Sequence, residues 1–309
     1  MSSGPTSRLE RLPADRPIDL RLTLGPLQTG RHDPTIAFRP DGVWLALATS
    51  AGPATIRLQS IEGAIRAEAW GSDESIDLAL QAAPGLAGLL DEPPVLSDFP
   101  GCHPIVAELE RRFPGLHLPR TGRLLPPLVA AVIGQKVTAP EAHATFLALV
   151  RKLGKPAPGP VLLLTPPSGA DLAALPYFEF HPLGLERRRA EVLIAIGRRE
   201  PEIEALMAGS ALQARASLQQ IPGIGPWTAA EATRLAFGDP DAVSPGDYHL
   251  PDLVSWALER QPRADDARML ELLAPYGGQR ARAIRLLEAS GIKIPRFGPR
   301  LAPRSIGGI

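Results

Sequence analysis

Across residues 18–70 apolar and polar positions alternate at short period, in the runs 18–24, 35–38, 43–47 and 55–58. Period-two alternation puts the apolar side chains on one face of a strand. Pro40-Asp41-Gly42 and Gly52-Pro53 separate the runs with turn chemistry, so the pattern predicts an antiparallel meander with one covered face. Residues 75–90 read as a helix laid across it, weakened by Gly85. An acidic, proline-bearing stretch, 91–98, marks a domain boundary. Beyond it the period lengthens, and 103–113 and 127–134 carry apolar residues three and four apart. Thr138-Ala-Pro-Glu141 is a capping box with proline in the first turn, opening a helix to about Leu153. Another helix covers 185–199, and the Ser210-Ala-Leu-Gln213 box opens one that ends near Gln220. The predicted organisation is a flexible N-terminus (1–17), a small antiparallel β-rich domain (18–97), a mostly helical domain (98–295) and a basic flexible tail (296–309). The fold class is α+β.

Composition narrows the chemistry. The 309 residues carry 33 basic and 33 acidic side chains, so the chain as a whole is neutral. Residues 1–100 have a net charge of −5 and residues 101–309 a net of +5; the last thirty hold seven basic residues against one acidic. A nucleic-acid partner for the second part is permitted by this asymmetry, and so is a merely solvated tail. The single cysteine, Cys102, excludes an internal disulfide and any cluster or zinc site needing several thiolates. The histidines show no ligand spacing, so no metal site is expected. The first seventeen residues lack the apolar core of a signal peptide. The longest apolar run, 124–133, is ten residues with Pro126 and Pro127 inside, too short to span a bilayer. A cytoplasmic protein with no membrane partner is the expectation, associated with the nucleoid if bacterial.

Candidate chemistry centres on Ile221-Pro-Gly-Ile-Gly-Pro-Trp-Thr-Ala-Ala-Glu231, where the helical period resumes at once. Two helices joined by Pro-Gly-Ile-Gly make a tight hairpin. Gly223 and Gly225 permit positive φ and close approach of another backbone. The second helix presents free N–H groups and a positive dipole end, a place for an anion such as phosphate. An ordinary helical hairpin with a glycine stop and proline start fits the turn equally well.

The residues that follow tip the balance. This stretch resembles the helix-hairpin-helix DNA glycosylases, in particular the 3-methyladenine DNA glycosylase II branch, whose hairpin is followed by Trp-Thr-Ala and, about twenty residues on, by a loop holding an Asp. Here Ser244-Pro-Gly-Asp-Tyr248 stands in that loop. Ala131-Val-Ile-Gly-Gln-Lys-Val-Thr138 is similar to the family's Ile-Gly-Gln segment, and 113–120, 183–190 and 274–280 fall in family order. The likeness covers residues 101 to about 292; residues 18–95 look like the branch's N-terminal domain only by pattern and position.

The resemblance implies a glycosylase that flips a damaged base, an alkylated purine, out of double-stranded DNA and hydrolyses its N-glycosidic bond in base-excision repair, acting as a monomer. It places Asp247 at the catalytic position, where a carboxylate stabilises positive charge developing on the sugar. By residue chemistry alone, Asp247 is equally a helix N-cap. Trp227, Tyr248 and Tyr276 fall at aromatic or pocket positions for the base, with core packing as the competing reading for Trp227 and Tyr276. Glu231 stands where relatives carry an aromatic; it faces a base, or pairs with Arg234. Gly223, Ile224, Gly225 and Thr228 would meet the DNA backbone, and Gln135 and Lys136 would fill the gap left by the base. Arg280, Arg282 and Arg285 bind backbone or lie solvated. Asp239 and Asp241 read as turn residues. The family hairpin can hold a monovalent cation on backbone carbonyls. Relatives that also nick the strand place a lysine just after the hairpin; Trp227 stands there, and the four lysines, Lys136, Lys152, Lys155 and Lys293, lie elsewhere. The resemblance thus implies a monofunctional enzyme. Deaminated or oxidised bases, and a non-catalytic lesion-binding module, are the alternatives.

Overall fold

The computed structural model describes residues 6–295. Strands β1 (Thr6–Pro13), β2 (Ile36–Arg39), β3 (Gly42–Thr49), β4 (Gly52–Ile61) and β5 (Ala64–Gly71) form one antiparallel sheet in the order β1-β5-β4-β3-β2. Helix α1 (Leu20–Leu24) and the longer α2 (Asp73–Leu86) pack on one face around Ile56, Leu58, Ile65 and Ile76. The rest is helical: α3 (Pro104–Arg112), α4 (Leu125–Ile133), α5 (Ala139–Leu153), α6 (Gly169–Ala174), α7 (Arg187–Arg198), α8 (Glu200–Ala205), α9 (Ala211–Leu218), α10 (Pro226–Phe237), α11 (Leu250–Glu259), α12 (Asp266–Leu273) and α13 (Arg280–Ala289). The α+β class is as expected, and among the described residues no helix is long and apolar enough to cross a membrane.

Three readings of the N-terminal part need correction. The segment taken as flexible contains β1, which pairs with β5 from Thr6↔Gly71 to Pro13↔Ala64. Nearly every β1 side chain is exposed, so no alternation betrays it; its charged residues suit a sheet edge, where they deter further pairing. The run at 18–24 is a helix rather than a strand. Asp19 accepts from the Arg21 and Leu22 N–H groups, and the buried Leu20, Thr23 and Leu24 follow helical spacing. The sheet's second face is also covered. Trp44 stacks on Trp70 at 5.0 Å between ring centroids, and Val161 and Leu163, from the loop between α5 and α6, pack over the pair. The basic tail at 296–309 lies outside the described residues.

The boundary stretch is an anchor as well as a linker. Asp91 forms a buried ion pair with Arg282 of α13 and accepts from the Leu118 N–H. Burial pushes its carboxyl up, but hydrogen bonds from His117, Arg282 and Leu118 together with the guanidinium charge outweigh it and hold the pKa down to about 2.

The helices bury two separate apolar clusters. One gathers α4, α5, α7, α9 and α10 around Leu128, Val132, Phe146, Leu193 and Ala232. The other joins α3, α11, α12 and α13 around Leu109, Val254, Leu273 and Leu287. Residues 238–249 cross from the first cluster to the second, and that crossing carries the candidate site.

Candidate active site

The hairpin is fixed from beneath by Ile221 and Ile224, both buried in the first cluster. The Ile224 side chain is therefore part of the core. Gly223 has φ +91°, and a Cβ there would stand 2.3 Å from Val192 Cγ2 of α7. Only glycine fits both the angle and the space. Gly225 differs from expectation: it is the N-cap of α10 with φ −93°, and a Cβ there meets nothing within 4 Å. Its backbone faces open space at the positive end of α10, with the N–H groups of Trp227 and Thr228 in the first turn.

Trp227 points from that turn across to the crossing segment. Its Nε1–H donates to Asp247 Oδ2 at 2.9 Å. The far edge of the indole lies against Gly134, where a Cβ would come 3.3 Å from Trp227 Cη2. Asp247 Oδ1 accepts from the His249 and Leu250 N–H groups at 2.8 and 3.0 Å. The carboxylate thus caps α11 and accepts from Trp227 at the same time. Both oxygens are oriented by donors, and the residue remains partly exposed.

The turn between α4 and α5 packs beside this pair. Gln135 Nε2 donates to Gly223 O at 3.0 Å and Thr228 Oγ1 at 2.8 Å. Gln135 therefore ties the turn to the hairpin, and the Thr228 hydroxyl is turned toward it. Lys136 is exposed at the tip, with the left-handed φ of +54° that non-glycine residues rarely adopt. Arg189 of α7, buried, donates from Nη1 to Ile133 O at 2.6 Å, satisfying the end of α4 just before the turn. Sequence reading passed over Arg189. The available signal was a charged residue in register with Val192, Leu193 and Ile196 on the apolar stripe of α7.

The other expected site residues separate. Tyr248 is 79% exposed and packs edge-on to His249 at 5.0 Å. Tyr276 is 1% exposed inside the second cluster; its hydroxyl accepts from the His103 N–H at 2.9 Å. It is a core residue, with burial pushing its phenol up. Glu231 pairs with Arg234 at 2.8 Å and accepts from Ser244 Oγ at 2.5 Å; the pairing with Arg234 is as expected, but it is largely covered by the protein instead of lying on the surface. Burial opposes the charge on Arg234, but Glu231, Glu288 and Asp247 nearby raise its pKa. Arg280 pairs with Asp241 at 2.7 Å, Arg282 with Asp91, and Arg285 with Glu288 at 2.5 Å. All three are engaged within the chain. Asp239, paired with Arg215 at 3.2 Å, and Asp241 are structural as expected.

No family model and no curated protein matches the sequence. Solved structures do match. The 3-methyladenine DNA-glycosylase from Archaeoglobus fulgidus superposes with a TM-score of 0.77 at 16% identity, covering 90% of this chain and 97% of that one. The Clostridium acetobutylicum 8-oxoguanine glycosylase/lyase, in complex with double-stranded DNA, gives 0.67 at 12% identity over 92% of this chain and 99% of its own. The Schizosaccharomyces pombe 3-methyladenine DNA glycosylase, bound to abasic DNA, gives 0.52 at 15% identity over 64% and 96%. From β-rich N-terminal domain to hairpin and crossing segment, this chain has the fold of the helix-hairpin-helix DNA glycosylases.

Proposed function

We propose that this protein is a monofunctional DNA glycosylase of base-excision repair that excises alkylated purines from double-stranded DNA. The observation that carries the reading is the Asp247 carboxylate, aimed by Trp227 and by the first turn of α11. The open N-terminus of α10 at Gly225 takes a DNA phosphate on its backbone N–H groups. The damaged base leaves the stack, at a cost of a few kcal/mol, and stacks on an aromatic face; Trp227 is the aromatic beside the carboxylate. As the N-glycosidic bond lengthens, positive charge grows on the deoxyribose, and the Asp247 carboxylate stabilises it. Water then adds to the anomeric carbon and gives its proton to Asp247 while the base departs. A cationic alkylated base gains cation–π attraction from the indole, which favours that substrate class over neutral oxidised or deaminated bases. A monovalent cation held by the hairpin would sit on its backbone carbonyls.

The second helical position of α10 carries Trp227, so the lysine that strand-nicking relatives place there is absent from it. The product is therefore an intact abasic strand that breaks only under later alkali, and borohydride traps no protein–DNA adduct. Incubation with duplexes containing 3-methyladenine, 7-methylguanine, hypoxanthine or 8-oxoguanine, with Asp247→Asn in parallel, tests the whole reading. Asn keeps the cap of α11, so it should bind duplex within a few fold of wild type while releasing no base. Near-normal turnover by Asp247→Asn would make Asp247 a helix cap and nothing more.

A further inference from the structure

We infer that Glu231, with Ser244 and Arg234, is the device that sets the angle of the Asp247 loop, and is not a reader of the base. The inference rests on the glycosylase reading and deepens it. The loop 244–247 is joined to α10 at two points one helical turn apart. Trp227 Nε1 donates to Asp247 Oδ2 at one end, and Ser244 Oγ donates to Glu231 Oε1 at the other, at 2.9 and 2.5 Å. Residues four apart on a helix share a face, so both tethers pull the loop onto the same side of α10. One tether would fix a distance and leave the loop free to pivot; two, three residues apart in the loop, also fix its orientation.

The second tether is built to last. Ser244 is 1% exposed, so its hydroxyl depends on the protein for a partner, and Glu231 supplies it. The other Glu231 oxygen takes Arg234 Nη2 at 2.8 Å, which locks the carboxylate and balances a negative charge lying one turn from Trp227. Between the tethers, Gly246 N–H donates to Asp266 Oδ2 at 2.7 Å, holding the loop from the side of α12. A carboxylate already engaged by both oxygens is poorly placed to discriminate between bases.

The test is single-turnover base release by Glu231→Ala, Ser244→Ala, the double variant and Glu231→Gln, with abasic-DNA affinity and thermal unfolding measured on each. A displacement near 1 Å costs on the order of 10²-fold in rate. The two alanine variants should each lose about ten- to a hundredfold on every lesion, with affinity for abasic DNA unchanged. The double variant should lose no more than either single one, since both cut the same tether. Glu231→Gln keeps an oxygen for the Ser244 hydroxyl but turns an amide N–H₂ toward Arg234 Nη2, so it should recover only part of the rate. The Trp227 indole N–H resonance should shift in Ser244→Ala, a readout independent of activity. Loss confined to one lesion in Glu231→Ala, with Ser244→Ala silent, would overturn the inference and make Glu231 a base contact. Wild-type rates in both alanine variants would also overturn it. A wild-type chain releasing no base, whose indole resonance still moved in Ser244→Ala, would overturn the glycosylase reading and leave the tether supported.

Discussion

Replacing Trp227 by Phe isolates one atom's contribution to the site. The ring still lies against Gly134 and still offers a face to a base, but the Nε1–H that donates to Asp247 Oδ2 at 2.9 Å is gone. Indole N–H is a donor only, so nothing in Phe replaces it, and the Asp247 Oδ2 faces the pocket without its partner. A hydrogen bond to a charged group contributes about 1.5–3 kcal/mol. If that orientation is needed in the transition state, the loss appears in the barrier, at about 1.4 kcal/mol per tenfold. Base release should therefore slow roughly 10- to 150-fold. Single-turnover release from a 7-methylguanine duplex measures it, with abasic-DNA affinity expected within a few fold of wild type. Asp247 keeps its bonds to the His249 and Leu250 N–H groups, so α11 stays capped and thermal unfolding should change little. A wild-type rate for Trp227→Phe would refute the reasoning and reduce the indole bond to packing.

The two hairpin glycines should separate. Gly223→Ala, at φ +91° and 2.3 Å from Val192 Cγ2, should lower stability by about 1–3 kcal/mol in chemical denaturation. Gly225→Ala should leave folding nearly intact yet weaken duplex binding, flattening the slope of log K against log salt by about 0.9 for each phosphate that the hairpin no longer holds. At the domain boundary, Asp91 is held at a pKa of about 2, below the ordinary carboxyl value, so its stabilisation is complete above about pH 4 and lost as pH falls toward 2. Arg282→Met removes the buried partner and should cost about 3–5 kcal/mol, and because it takes away a cause of the lowered Asp91 pKa the loss of stability with acid should shrink; urea midpoints across pH 2–6 check both.

Local chemistry made much of this protein legible in its sequence. The capping boxes at Thr138 and Ser210 name helix starts because their side chains satisfy backbone donors within three residues. The glycine at 223, the Trp-Thr-Ala start of α10 and Asp247 twenty residues on are likewise visible as letters at fixed spacing. What the letters leave open is which partner each side chain finds across the fold. Strand β1 is invisible because an exposed edge strand needs only backbone pairing, and backbone groups are the same in every residue. Asp247 caps the start of α11 with one oxygen and accepts from Trp227 with the other, since its oxygens point to different elements. Tyr276 goes to the core and Glu231 to Ser244 and Arg234, although both stand at pocket positions in the sequence. Spacing along a chain fixes which face of a helix a residue occupies. Tertiary packing alone decides what lies opposite that face, because burial and partner charge come from segments distant in sequence.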